Sequence, residues 1–186
     1  CVIKDIGKHM AEWGCGIDIE PWRASDYVKN VIIDSCYFGN TAGLNGSNIA
    51  VIGTAFPDAT ESVVSDVSIT NCTCQGDIFI DTVLNTVVER CTLGCIKHRS
   101  GGIEGKDDVY YATVKASSLS RIYTDMKASY TIIEDCIVKA AKENKPNFTV
   151  WCQGKGVELY NTSILGHGAS SYVRILTTET AIIDNC

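Results

Sequence analysis

The sequence predicts an all-β chain wound as a right-handed, single-stranded parallel β-helix, a solenoid of about seven coils. Three observations lead there: one short pattern returns along the chain, each return is accompanied by a second short strand, and no segment sustains a 3.6-residue apolar stripe. The pattern reads apolar, any, apolar, polar, Asn/Asp-like, Cys. Its clearest copies are residues 31–36, 67–72, 86–91, 131–136 and 181–186. In 112–117 and 157–162 a small hydroxyl residue replaces the cysteine. The anchors are thus Cys1, Cys36, Cys72, Cys91, Ser117, Cys136, Thr162 and Cys186.

The second strands are expected at 16–20, 48–52, 77–81, 102–104, 121–125, 148–151 and 173–176, giving two strands and their turns per coil. Alternation keeps one side of each strand apolar, while stacking at about 4.8 Å pairs each backbone with its neighbours; seven coils would rise roughly 34 Å. Two positions after each anchor stands another residue of buried type: Ile3, Phe38, Cys74, Leu93, Leu119, Val138 and Ile164. The intervals between anchors vary because loops vary, and the excursions at 4–13, 22–27, 54–62 and 96–108 are expected at coil corners. Residues 139–145 are too short and polar for a helix and read as a loop. The chain begins and ends on an anchor cysteine, so a single β-helix domain over 1–186, cut from a longer chain, is the expectation.

Composition narrows the partners. A net charge of −6 with no basic run argues against nucleic acid, and no apolar stretch approaches the roughly 20 residues of a membrane span. Six of the ten cysteines share the anchor position, which points to small buried free thiols in a ladder, with neither a disulfide scaffold nor a metal site. No cofactor is implied. Cys15, Cys95 and Cys152 fall outside the ladder, and His9 and His98 read as loop residues without a role.

Chemistry is expected on the outer wall. If the apolar residues of the second strands point inward, their alternates form two outward columns. One reads Asp18, Ala50, Phe79, Glu104, Tyr123, Thr149, Arg174; the other reads Glu20, Ile52, Asp81, Lys106, Asp125, Trp151, Leu176. Aromatic rings stack on the apolar face of a pyranose while carboxylates transfer protons, so this mixture suits a saccharide. Acids on adjacent coils would stand about 5 Å apart and acids two coils apart about 10 Å, near the separations of retaining and inverting glycosidases. The candidate catalytic residues are Asp18, Glu20, Asp81, Glu104 and Asp125; the candidate substrate-binding residues are Trp22, Arg23, Phe79, Lys106, Tyr123, Trp151 and Arg174. A rival column on the first strand, Asp34, Thr70, Glu89, Lys115, Glu134, Tyr160 and Asp184, has less aromatic company and reads as solvated face.

The coil pattern, with Asn71-Cys72, Asn185-Cys186 and Gly16-Ile17-Asp18-Ile19-Glu20-Pro21, resembles the pectate-lyase-like (pectin-lyase-like) β-helix superfamily, and most of all bacteriophage tailspike and capsule-depolymerase proteins. That resemblance implies a homotrimer on a virion tail or outside the cell, acting on bacterial surface polysaccharide as a glycoside hydrolase or polysaccharide lyase. The alternative is a non-catalytic receptor-binding or shaft segment, or a secreted adhesin of the same fold. Gly166-His167-Gly168 followed by Arg174-Ile175 is similar to two polygalacturonase motifs, but the Asn-Thr-Asp motif of that family is absent.

Overall fold

The computed structural model describes residues 1–4, 15–21, 23, 26–39, 47–53, 64–100, 109–125, 129–140, 148–166 and 173–186. Among them there are strands and no helix. In chain order the first strands are β1 Val2–Lys4, β2 Ile17–Ile19, β3 Val28–Asp34, β4 Tyr37–Gly39, β5 Ser47–Ile52 and β6 Val64–Thr70. There follow β7 Thr73–Cys74, β8 Asp77–Asp81, β9 Asn85–Glu89, β10 Thr92–Arg99, β11 Tyr110–Lys115 and β12 Ser118–Asp125. The last are β13 Ser129–Glu134, β14 Ile137–Lys139, β15 Val150–Tyr160, β16 Ser163–Leu165 and β17 Val173–Asp184.

Every pairing is parallel, and the pairings sort into three ladders. The first joins β1, β4, β7, the start of β10, the start of β12, β14 and β16. The second joins β2, β5, β8, β10, β12, β15 and β17. The third joins β3, β6, β9, β11, β13 and the later parts of β15 and β17. The chain visits the ladders in rotation, which fits a parallel β-helix. It therefore uses three strands where the sequence reading expects two. The extra ladder is the row of buried residues two positions after each anchor: Ile3 pairs with Phe38, Phe38 with Cys74, Leu93 with Leu119, Leu119 with Val138 and Val138 with Ile164.

The repeat pattern has a local cause. The residue before each anchor, namely Ser35, Asn71, Arg90, Ala116, Asp135, Asn161 and Asn185, turns the corner with φ between 45° and 53°. Asn and Asp tolerate this left-handed conformation better than other side chains, hence their enrichment there. The anchor side chain then donates to the carbonyl two residues back: Cys72 to Thr70 at 3.1 Å, Cys91 to Glu89 at 3.3 Å, Ser117 to Lys115 at 2.7 Å and Thr162 to Tyr160 at 2.8 Å. Its sulfur or oxygen also accepts from the backbone of the anchor before it, as Ser117 Oγ does from Cys91 N at 3.0 Å. A small donor–acceptor is what the corner needs, so thiol and hydroxyl interchange. All ten cysteines are free, and burial pushes the Cys91 thiol up to about 11 and that of Cys152 to about 12.

The core lies between the ladders as stacked rows. Ile49, Ile78, Ile96, Ile122 and Val150 form one; Ile33, Ile69, Val88, Val114, Ile133 and Leu159 form another. His98 belongs here and corrects the loop reading: it continues β10 in register with Ile80 and Thr124, points inward and is fully buried. Its Nδ1 lies 2.8 Å from Thr131 Oγ1. Ala112, in register with Thr131, is the small residue of that row.

Candidate functional site

The outward side chains of the second ladder form the candidate site, in an arrangement that differs from the expectation at two places. The continuous strand β10 supplies its row with Lys97 and Arg99, which occupy the positions expected of Glu104 and Lys106. Glu104, Lys106 and Trp22 lie outside the described residues. On β15 the register is displaced by two residues, so Trp151 stands beside Tyr123 and next to Arg174. One column therefore reads Asp18, Ala50, Phe79, Lys97, Tyr123, Trp151, Arg174, and its neighbour continues Ile52, Asp81, Arg99, Asp125.

This register exchanges a row of acids for alternating charge. Arg99 Nε donates to Asp81 Oδ2 at 2.8 Å, and its guanidinium lies 5.0 Å over the Phe79 ring. The Tyr123 hydroxyl donates to Asp125 Oδ2 at 3.2 Å, and burial followed by the Asp125 charge raises its pKa. Lys97 Nζ is 2.7 Å from Asp77 Oδ2. Among the described residues, Asp81 and Asp125 stand two strands apart with Arg99 between them, about 10 Å by strand spacing.

Phe148 joins the aromatic part of the wall. Trp151 packs on Phe148 with ring centroids 4.1 Å apart and tilted by 59°, and the Arg174 guanidinium lies 4.7 Å over its ring. Such cation–π contacts fix the orientation of an aromatic platform. Trp151 Nε1 and Thr149 Oγ1 are shut off from solvent and have no hydrogen-bond partner among the described residues.

Asp18 and Glu20 stand apart from this centre. Asp18 is in the same column as Phe79 but Ala50 separates them. Burial raises the pKa of both acids; a hydrogen bond from Cys15 opposes this at Asp18, and the Asp18 charge adds to it at Glu20. Arg23 is exposed, its carbonyl accepting from Asp26 N at 3.0 Å. The rival column of the third ladder, Asp34 through Asp184, is in register throughout. Asp34 accepts from Thr70, Asn71 and Ser35, which holds its carboxyl below the usual range.

Lys97, Arg99 and Asp77 are the functional candidates that sequence reasoning missed. Their signal was the alternation of charge in Asp77, Phe79, Asp81 against Lys97 and Arg99, visible only with β10 in its true register. Among the described residues no cluster of His, Cys, Asp and Glu could hold a metal ion. In comparison with known proteins, the chain matches no family model, no curated protein and no solved structure.

Proposed function

We propose that this chain is a stretch of right-handed parallel β-helix of about seven coils, of the pectate-lyase-like, tailspike type, that binds and cleaves bacterial surface polysaccharide along the outer wall of its second ladder. The observation that carries the reading is the column Phe79, Lys97, Tyr123, Trp151, Arg174 beside Asp81, Arg99 and Asp125. Rings would hold successive sugars. Asp81 and Asp125 stand near the upper end of the inverting separation of roughly 6.5–9.5 Å. In that chemistry one carboxyl protonates the leaving glycosidic oxygen and the other activates water on the opposite ring face. A homotrimer borne on a virion tail, or displayed outside a cell, belongs to the same proposal.

A second reading has its own observation. Each acid of the wall already has a protein partner, Asp77 with Lys97, Asp81 with Arg99 and Asp125 with Tyr123, which suits a receptor-binding wall without catalysis. Reducing-end release from a panel of capsular and cell-wall polysaccharides separates the two, with absorbance at 235 nm reporting lyase products. Cleavage by wild type with at least a hundredfold loss in Asp81→Asn and Asp125→Asn is the expected result. Binding without release would select the non-catalytic reading, and release undiminished in both variants would remove the chemistry from this wall.

A further inference from the structure

The outward face of the third ladder carries a second group of side chains, separate from the wall discussed above. Tyr111 on β11 and Tyr130 on β13 are in register, with ring centroids 5.2 Å apart and tilted by 39°. The next position of their column, on β15, is Gly156. A Cβ there would come within 2.3 Å of the Tyr130 ring, so the glycine opens the space that this ring occupies. Two residues along β15 stands Glu158, and two further Tyr160. The Tyr130 hydroxyl donates to Glu158 Oε1, and the Tyr160 hydroxyl donates to Oε2 at 3.1 Å.

Glu158 is thus a carboxylate whose two oxygens are each held by a fixed phenol. The hydrogen bond to Glu158 raises the pKa of both tyrosines, which keeps them protonated as donors across neutral pH. A carboxylate has about four acceptor positions, so two are filled and two are left for a ligand. In register with Tyr160 stand Glu134 on one side and Asp184 on the other. Lys115, on the next strand, is paired with Glu134 at 3.2 Å. Tyr111 is 41% exposed, so the platform opens to solvent.

We propose that this face is a second saccharide site, and that its ligand is a neutral pyranose: the C–H face of the ring rests on Tyr111 and Tyr130 while two adjacent hydroxyls donate to Glu158. The charge argues for that class. Acceptor-only side chains select hydroxyl donors, and three carboxylates within three strands repel uronates and sulfated sugars.

Calorimetric titration of the protein with maltohexaose, mannohexaose and galactohexaose, and with hexagalacturonate as the anionic counterpart, tests this. Expected is binding of at least one neutral hexasaccharide at least tenfold tighter than hexagalacturonate, weakened at least tenfold by Tyr130→Ala and by Glu158→Gln. Glu158→Gln keeps the side-chain shape and serves if Tyr130→Ala fails to fold. Lys139→Ala, exposed on the first ladder away from both walls, is expected to leave this binding within a factor of two. Four results would each overturn the proposal: no neutral hexasaccharide bound, hexagalacturonate bound equally well, binding lost in Trp151→Ala on the other wall but kept in Tyr130→Ala and Glu158→Gln, or sedimentation showing that those two variants change self-association while sugar affinity stays constant.

Discussion

Acidification below pH 6.5 is expected to destabilise the protein through His98 by about 1.4 kcal/mol per pH unit, and His98→Leu is expected to remove that slope. The imidazole is fully buried, and desolvation lowers its pKa from 6.5 to about 3. An unfolded chain takes up a proton on His98 as the pH falls through 6.5, while the folded protein does not until about 3. The stabilisation is therefore complete above pH 6.5 and is lost progressively down that window, on the order of 5 kcal/mol if all of it is crossed. Asp34, whose pKa is lowered, adds to the acid loss, and Asp18 and Glu20, whose values are raised, oppose it. Comparison with His98→Leu isolates the histidine. The check is the urea midpoint of both proteins at pH 7, 6 and 5; parallel dependence would remove His98 as the cause.

A second large effect distinguishes filling the core from turning its corner. Ile69→Ala is expected to destabilise by about 2–5 kcal/mol, because the side chain is fully buried between Ile33 and Val88 and stacked strands leave little room to collapse. Cys91→Ser is expected to change stability by less than about 1 kcal/mol, since Ser117 at the next corner already donates to the carbonyl two residues back and accepts from the Cys91 backbone. Urea denaturation of the three proteins tests the pair. Similar losses in both variants would mean that the thiol contributes to packing in a way a hydroxyl cannot.

The difference between these two sites also explains what was legible in the sequence. Corner chemistry is local: a left-handed residue, then a small donor, repeats at every turn, and the third ladder with its column Asp34 to Asp184 was read correctly from it. The second ladder has no such marker. On β10 the polar His98 occupies a core position and breaks the apolar alternation, so residues 102–104 looked like the better strand. On β15 the slip was two residues, which leaves every side chain on its proper face and so is invisible to alternation. Tyr130 and Glu158 are 28 residues apart, and their meeting depends on Gly156 beneath the ring. Sequence periodicity carries no information about such cross-strand contacts.

The most direct test of the account is the affinity of the protein for the bacterial surface polysaccharide that it binds best, compared between wild type, Tyr123→Ala and Trp151→Ala at neutral pH. The account predicts at least a tenfold loss in each variant, with the fold intact, because both rings stand side by side in the outward column of the second ladder. Unchanged affinity in both variants would contradict it.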